Sequence, residues 1–198
     1  MKRILIASFL LFLLSSVGIG LWFYISRARS HCDGSYIPAG IITTGILTKH
    51  VPAYYSAMQE TPLSCFNSRT EAYRFLFIPS FDSSASIRIW REDNHSFVAI
   101  KQLRDAGVPK DGAKDLKVNE TRPLSDDQWN RFKGLVARAS FWTAAPEIGD
   151  LPMLDGAAYV LEGHDGHNYH VIIRAYGNES FMDVTDFFFD SARLQWRQ

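Results

Sequence analysis

The chain has 198 residues, of which 46% are hydrophobic and 14% aromatic, with 21 basic side chains, 21 acidic side chains and two cysteines. This length suits one domain with a hydrophobic core and is too short for two ordinary enzyme domains. The many aromatic residues and the low cysteine content exclude a disordered chain and a disulfide scaffold. A net charge of zero argues against a nucleic-acid binder, which would usually carry a basic surface.

The zero net charge conceals an uneven distribution along the chain. Four of the 21 basic residues lie within residues 1–29, which contain no acidic residue. The other 169 residues therefore carry 17 basic and 21 acidic side chains. The positive excess belongs to the amino-terminal end, and the rest of the chain is mildly acidic.

An uncharged run of 22 residues occupies positions 4–25, and two basic residues flank it on each side. A helix of this length spans about 33 Å, which is enough to cross the roughly 30 Å hydrocarbon core of a bilayer. The sequence therefore predicts a transmembrane signal-anchor within residues 1–29, followed by a single domain over residues 30–198.

A cleaved signal peptide is the alternative interpretation of this run. Cleavage after Gly18, at the small residues that end its first half, would leave residues 19–25 as an exposed apolar tail. An uncleaved anchor explains these residues better, because Trp22 and Tyr24 then lie where an interfacial aromatic belt is expected.

The compartment is inferred from the cysteines, because similar charges on both sides of the run leave little positive-inside bias. Cys32 and Cys65 are the only cysteines, and both would be exported if the amino terminus is cytoplasmic. A disulfide between them would fit an oxidising compartment, and two unrelated buried thiols are the alternative. We expect a single-pass protein of the bacterial inner membrane whose domain faces the periplasm.

The first part of the domain is harder to interpret than the second. Residues 30–70 are rich in glycine and proline, and the apolar pairs at 41–42 and 46–47 predict either a short strand or a packed loop. Three apolar or alternating runs then predict strands. They cover residues 73–78, 86–91 and 97–101. Because short turns separate these runs, we expect an antiparallel meander.

The middle of the chain combines a predicted loop with a predicted helix. Residues 104–123 are polar and interrupted by glycine and proline, which is typical of a long surface loop. Ser125 and Gln128 then form the pattern of a capping box. Because apolar residues recur after it at helical spacing, we predict a helix over about residues 126–140.

A hairpin is predicted near the carboxyl terminus. Its strands cover residues 157–163 and 168–176, and they flank Asp165 and Gly166. An Asp-Gly pair between two strands favours a two-residue type I′ turn, because that turn needs positive φ at both central positions.

A short final helix over residues 187–194 is expected to follow Asp183 or Thr185. Together these elements predict an α+β fold. We expect a curved antiparallel sheet of about five or six strands packed on one main helix, preceded by the N-terminal transmembrane helix.

The hairpin concentrates three histidines and two acidic residues within nine positions, and such side chains are ligands of zinc. With a two-residue turn, Glu162, His164 and His167 share one face of the hairpin. His170 then lies on the other face with Leu161. Three interpretations remain open: a metal site formed by the first three residues, a solvated loop tip, and a contact with a partner.

The sequence supports no catalytic residue and predicts no cofactor. Acid–base chemistry by Glu162 with His170 would require a bulge, because the two residues face opposite ways. Cys65 has no nucleophile motif around it. The sequence contains no Gly-x-Ser-x-Gly elbow, phosphate loop, dinucleotide fingerprint or EF-hand pattern.

The motifs from residue 73 onward follow a recognisable order: RFLF, IRI, FW, DGAAYVLEG and YHVIIR. This order resembles an uncharacterised family of small bacterial proteins over about residues 70–176, with a departure at Tyr159, where the family commonly has Trp. The resemblance implies a compact α+β domain with no established activity. It marks Glu162, Tyr169, His170 and Arg174 as the positions to examine, and a structural role in pinning the hairpin to the fold is the alternative.

These observations lead to two hypotheses about function. The first is a non-enzymatic protein that is anchored through residues 4–25 and binds a protein partner, for example an immunity protein against a toxin of the cell envelope. The second is a small hydrolase that uses Glu162 with His164, His167 or His170, with or without zinc. Nucleic acid is not an expected partner.

Overall fold

The computed structural model describes residues 34–38, 41, 46–110, 115–146, 156–175 and 177–194, with backbone alone at 46–49. The predicted anchor at residues 4–25 and Cys32 lie outside the described residues. Within the described part, no helix is both long and apolar enough to cross a membrane.

In the described part of the chain, six strands form one antiparallel sheet. The strands are β1 (Glu71–Pro79), β2 (Ser83–Glu92), β3 (His95–Ala106), β4 (Leu116–Leu124), β5 (Ala157–His164) and β6 (Tyr169–Arg174). Their order is β4-β3-β2-β1-β5-β6, and each neighbouring pair is antiparallel. The first strand of the chain therefore lies in the middle of the sheet.

Helices cover the sheet on both faces. They are α1 (Ile46–Ala57), α2 (Asp126–Arg138) and α3 (Glu179–Ala192), and short 3₁₀ turns lie at Leu63–Cys65 and Phe141–Thr143. The α+β class and the antiparallel sheet are confirmed. The single main helix expected from the sequence is replaced by two helices on one face and α1 on the other.

Two hydrophobic cores result from this arrangement, one on each face of β1. Phe75 packs against Phe188 of α3, with ring centroids 5.3 Å apart, and Phe188 packs against Phe132 of α2 at 5.2 Å. Leu76, the next residue of β1, belongs instead to the core beneath α1, together with Met58. Both faces of β1 are buried because successive side chains of a strand point in opposite directions.

The predicted meander and the predicted capping box are confirmed. Strands β1, β2 and β3 follow one another in sequence and in the sheet. Helix α2 begins at Asp126, where Ser125 Oγ accepts a hydrogen bond from the backbone N–H of Gln128 at 3.2 Å. The Gln128 side chain accepts one from the N–H of Ser125 at 3.0 Å, so both halves of the box are present.

The prediction of a surface loop over residues 104–123 is wrong at both ends, because residues 104–106 belong to β3 and the second half forms β4. This strand lies at the edge of the sheet and pairs only with β3, so most of its side chains are exposed and polar. Its sequence therefore lacks the sustained alternation of apolar and polar residues that marks a half-buried strand. Pro123 is tolerated because an edge strand needs fewer backbone donors.

Two helices also differ from their predictions. Residues 46–57 form α1 rather than a strand or a loop, although Pro52 lies inside the helix and removes a donor. Packing against the sheet outweighs the local cost of that proline. Helix α3 begins at Glu179 after the N-cap Asn178, so Asp183 and Thr185 lie inside the helix and are not its caps.

The predicted two-residue turn at the hairpin tip is also wrong. His164 pairs with Tyr169 rather than with His167, so the loop has four residues. The Asp165 carboxylate favours this wider loop, because it accepts hydrogen bonds from the N–H groups of His167 at 3.1 Å and Asn168 at 2.8 Å. A register change of two residues leaves each side chain on its predicted face.

A matched pair of glycines tests the geometry of this loop. Gly166 has φ of 89°, and a Cβ there would lie 2.3 Å from the carbonyl oxygen of Ser68, whereas Gly107 has φ of 86° and no atom within 4 Å of its Cβ position. We expect Gly107→Ala to lower the free energy of unfolding by about 1–2 kcal/mol. Gly166→Ala should lower it by about 2–4 kcal/mol, because the clash adds to the backbone strain. Equal losses in chemical denaturation would contradict the close approach of Gly166 to Ser68.

Candidate functional site

The hairpin residue Glu162 lies in the middle of the sheet, beneath α1. It stands opposite Arg74 in the pairing of β5 with β1, and both side chains are 0% exposed. Arg74 Nε donates to Glu162 Oε2 at 2.8 Å, and Nη2 donates to the same oxygen. Burial alone lowers the pKa of Arg74, but the opposite charge of Glu162 raises it above its ordinary value.

The rest of the Arg74 guanidinium is also occupied. Nη1 donates to the carbonyl oxygen of Thr61 at 2.8 Å, and the guanidinium carbon lies 3.7 Å from the centroid of the Tyr55 ring. These groups belong to α1 and to the segment that follows it. Arg74 therefore holds α1 and the hairpin against the centre of the sheet.

Glu60 joins two further cations to this pair. Its Oε2 lies 3.6 Å from Arg74 Nη1 and 3.1 Å from Arg88 Nη1, and its Oε1 lies 3.4 Å from Lys101 Nζ. The Glu60 side chain is almost fully buried. One carboxylate thus serves three basic side chains from three neighbouring strands, and we refer to these five charged residues as the ion cluster.

Tyr169 completes the contacts of Glu162. Its hydroxyl donates to Glu162 Oε1 at 3.1 Å, so both carboxylate oxygens are engaged. Burial raises the pKa of the Tyr169 phenol, and the charge of Glu162 raises it further. The phenol therefore remains a proton donor over the ordinary pH range, and Glu162 is closed to an external substrate.

The two tip histidines have different environments. His164 is only 4% exposed, which contradicts the expectation of a solvated tip for this residue. Its Nδ1 lies 3.3 Å from the carbonyl oxygen of Thr70 and 3.2 Å from the backbone nitrogen of Gly166. His167 is exposed, as that expectation requires. Among the described residues, no three His, Cys, Asp or Glu side chains are grouped to hold a metal ion.

His170 and Arg174 contact a backbone segment beside the edge strand β6. His170 Nε2 donates to the carbonyl oxygen of Ala144 at 3.0 Å. Arg174 donates to the carbonyl oxygens of Ala145 at 2.5 Å and Pro146 at 3.0 Å. The two side chains therefore attach this segment to the sheet edge. As predicted, His170 and Glu162 point to opposite faces, so the structure does not bring them together.

A groove of about 990 Å³ lies on the other face of the sheet, between α3, the β1–β2 turn and the start of β5. None of the site residues predicted from the sequence lines it. Its lining includes Phe81, Tyr159, Met182, Asp186 and Asp190. The Phe81 side chain, in the turn, is 82% exposed.

The walls of the groove are tied together by short contacts. Ser80 Oγ donates to the carbonyl oxygen of Gly156 at 2.8 Å and accepts from its N–H at 3.2 Å, so the turn is joined to the start of β5. Beneath it, the rings of Phe77 and Tyr159 lie 5.6 Å apart. Phe81 thus lies in a well-anchored turn of a groove that two packed aromatic rings also line.

The groove is acidic. Asp82, Asp186 and Asp190 line it, and none of its described lining residues is Lys or Arg. Burial raises the pKa of Asp186, and the nearby charges of Asp190 and Asp183 raise it further. The groove therefore concentrates negative charge beside apolar surface.

The sequence carries no local signal of this groove, because the parts of the groove are far apart in the chain. Phe81 is an aromatic residue within a turn, and Asp186 and Asp190 have helical spacing. A predicted final helix that began at Glu179 would place these aspartates on neighbouring turns of one helix. The approach of the β1–β2 turn to α3 has no local signal.

No protein-family model matches the chain, and no match was found among curated proteins. The resemblance to an uncharacterised bacterial family therefore stays a prediction.

The buried pair of Arg74 and Glu162 yields a test of the ion cluster. We expect Glu162→Gln to lower the free energy of unfolding by about 3–5 kcal/mol, because it leaves a buried cation short of its partner. Arg74→Met/Glu162→Met should lower the free energy of unfolding by less than Glu162→Gln does, because neither charge of the pair remains without its partner. Chemical denaturation measures both effects.

The exposed pair of Arg104 and Asp115, with Nε and Oδ2 2.8 Å apart, is the control. Asp115→Asn should change the free energy of unfolding by less than about 0.5 kcal/mol, because exposed pairs contribute little. The double variant should lose less free energy of unfolding than Arg74→Met and Glu162→Met lose together. A loss equal to their sum would contradict an interaction between the two side chains.

Buried His164 and half-buried His170 predict a pH dependence of stability. Burial lowers the pKa of His164 and of His170. The unfolded chain therefore binds more protons than the folded one once the pH falls below about 6.5, so acidification destabilises the fold. We expect less stability at pH 5.5 than at 7.5, and a smaller difference in His164→Gln and in His170→Gln. His167→Gln, at an exposed position, should keep the wild-type difference; a change there alone would contradict this assignment.

Proposed function

We propose that this chain is a non-enzymatic binding protein, anchored in the bacterial inner membrane by residues 4–25, whose domain faces the periplasm and binds another protein. An immunity protein against a toxin that acts in the cell envelope is one concrete form. The observation that carries this proposal is that four polar side chains of the hairpin, those of Glu162, Tyr169, His170 and Arg174, are used in contacts within the fold.

The contacts of those side chains give the proposal its support. Glu162 lies beneath α1 with Arg74 on one oxygen and Tyr169 on the other. His170 and Arg174 bind backbone carbonyl groups next to β6. A hydrolase built on these groups would need one of them to reach a substrate, and each is already committed to holding an element of the fold.

The anchor and the compartment rest on the sequence. The apolar run at residues 4–25 is long enough to span a bilayer, and the chain after it is mildly acidic. The expected disulfide between Cys32 and Cys65 would suit the periplasm, but Cys32 lies outside the described residues, so the pairing stays a prediction.

A topology experiment tests the proposed location. A reporter that is active only in the periplasm, fused after Gln198, should be active, and the chain should stay in the membrane fraction after washing with high salt. The physical reason is that an inserted apolar helix is held by its hydrocarbon contacts, which salt does not weaken.

Two outcomes would contradict the proposal. Release of a soluble protein shortened by about 18 residues would favour the cleaved signal peptide. A stoichiometric metal ion in the purified full-length chain, lost in His167→Ala but kept in the exposed control His95→Ala, would favour the hydrolase.

A further inference from the structure

We propose that the groove between α3 and the β1–β2 turn is the binding surface, and that it takes a segment of a protein partner in which arginine side chains adjoin apolar ones. This inference rests on the proposed binding function and names the chemistry of the partner. It is carried by three features of the groove: an exposed aromatic side chain, an apolar floor and the negative charge of three aspartates.

The apolar features favour a protein segment as the occupant. Phe81 is 82% exposed. Two apolar residues of the same groove, Tyr159 and Met182, are half-buried. An exposed phenylalanine alone is ordinary, but one that adjoins a concave apolar floor provides a pocket for a partner's anchor residue. A volume of about 990 Å³ exceeds that of one side chain, so several residues of a partner would fit.

The charges make the groove complementary to a cation. Asp186 and Asp190 are four residues apart on α3, where like charges repel. Asp190 also lies in the last turn, which contains no basic residue and where the helix dipole disfavours a negative charge. Neither carboxylate forms an ion pair within the described part of the chain. A bound cation would relieve both unfavourable interactions.

Arginine matches these features better than other cations. Its planar guanidinium binds carboxylates through two parallel hydrogen bonds, and it also stacks on aromatic rings. The groove presents carboxylates on α3 and the Phe81 ring on the turn. A metal ion or a small amine would contact the carboxylates and leave the apolar walls unused.

The binding experiment uses the full-length chain in a neutral detergent and a synthetic probe. The probe is the peptide Leu-Arg-Phe-Arg-Leu, blocked at both ends and carrying a fluorophore, and binding is followed by fluorescence anisotropy with empty micelles as background. The same peptide with glutamine in place of arginine tests the charge requirement.

Two variants of the groove and one matched control accompany the probe. Asp186→Asn/Asp190→Asn should weaken binding about tenfold or more, because both partners of the guanidinium groups are lost. Phe81→Ala should weaken it several-fold. Asp127→Asn/Glu120→Gln removes the same amount of charge at exposed positions outside the groove and should bind as the wild type does.

The melting temperature separates a binding defect from unfolding. The Asp186→Asn/Asp190→Asn variant should melt no lower than the wild type, because the substitution removes a repulsive pair. Saturable binding of the arginine peptide that fails in this variant and with the glutamine peptide supports the proposal.

Three results would overturn it: no binding to the wild type, equal binding to the groove variant and the control, or equal binding of the glutamine peptide. Binding of calcium or magnesium alone that blocks the peptide and needs both aspartates would instead assign a metal site. Loss of peptide binding with normal membrane retention would refute the groove and leave the anchored binding protein intact, whereas peptide binding by a chain released from the membrane would refute only the location.

Discussion

The ion pair between Arg74 and Glu162 is the constraint on which the rest of this fold depends. Arg74 lies on the central strand of a sheet that is covered on both faces, so its charge has no access to water and must be satisfied by protein groups. The chain after α1 therefore follows a path that brings Glu60 and the Thr61 carbonyl to the guanidinium. The hairpin supplies the opposite charge from 88 residues away in the sequence.

The same requirement explains why the polar hairpin is unsuited to surface chemistry. Glu162 and Tyr169 complete the buried ion cluster on one face, and on the other His170 holds a backbone segment. Removing Glu162 or Tyr169 would leave a buried polar group of the cluster without one of its partners. These residues lie within nine positions because they form structural contacts at the centre and at the edge of the sheet. The sequence alone does not distinguish such a cluster from an active site.

The groove has the opposite character, because its local interactions are unfavourable for stability. The neighbouring carboxylates of Asp186 and Asp190 repel each other, and Phe81 exposes most of its ring. Proteins usually avoid such combinations except at functional sites, where local rules are broken in exchange for binding. The groove is therefore the part of the described surface where the stability of the fold and the proposed binding function make different demands on the same residues.

The sequence by itself determined the elements whose signals are local: the meander, the capped helix α2, the two hairpin strands and the face on which each hairpin side chain lies. The alternation of apolar and polar residues and the capping box predict these segments correctly, because the segments contact their neighbours in the sequence. Tertiary structure alone decided the edge strand β4, helix α1 around Pro52 and the four-residue loop after His164. It also decided that Glu162 meets Arg74 and that the turn carrying Phe81 meets α3, since such contacts join segments whose separate patterns carry no information about each other.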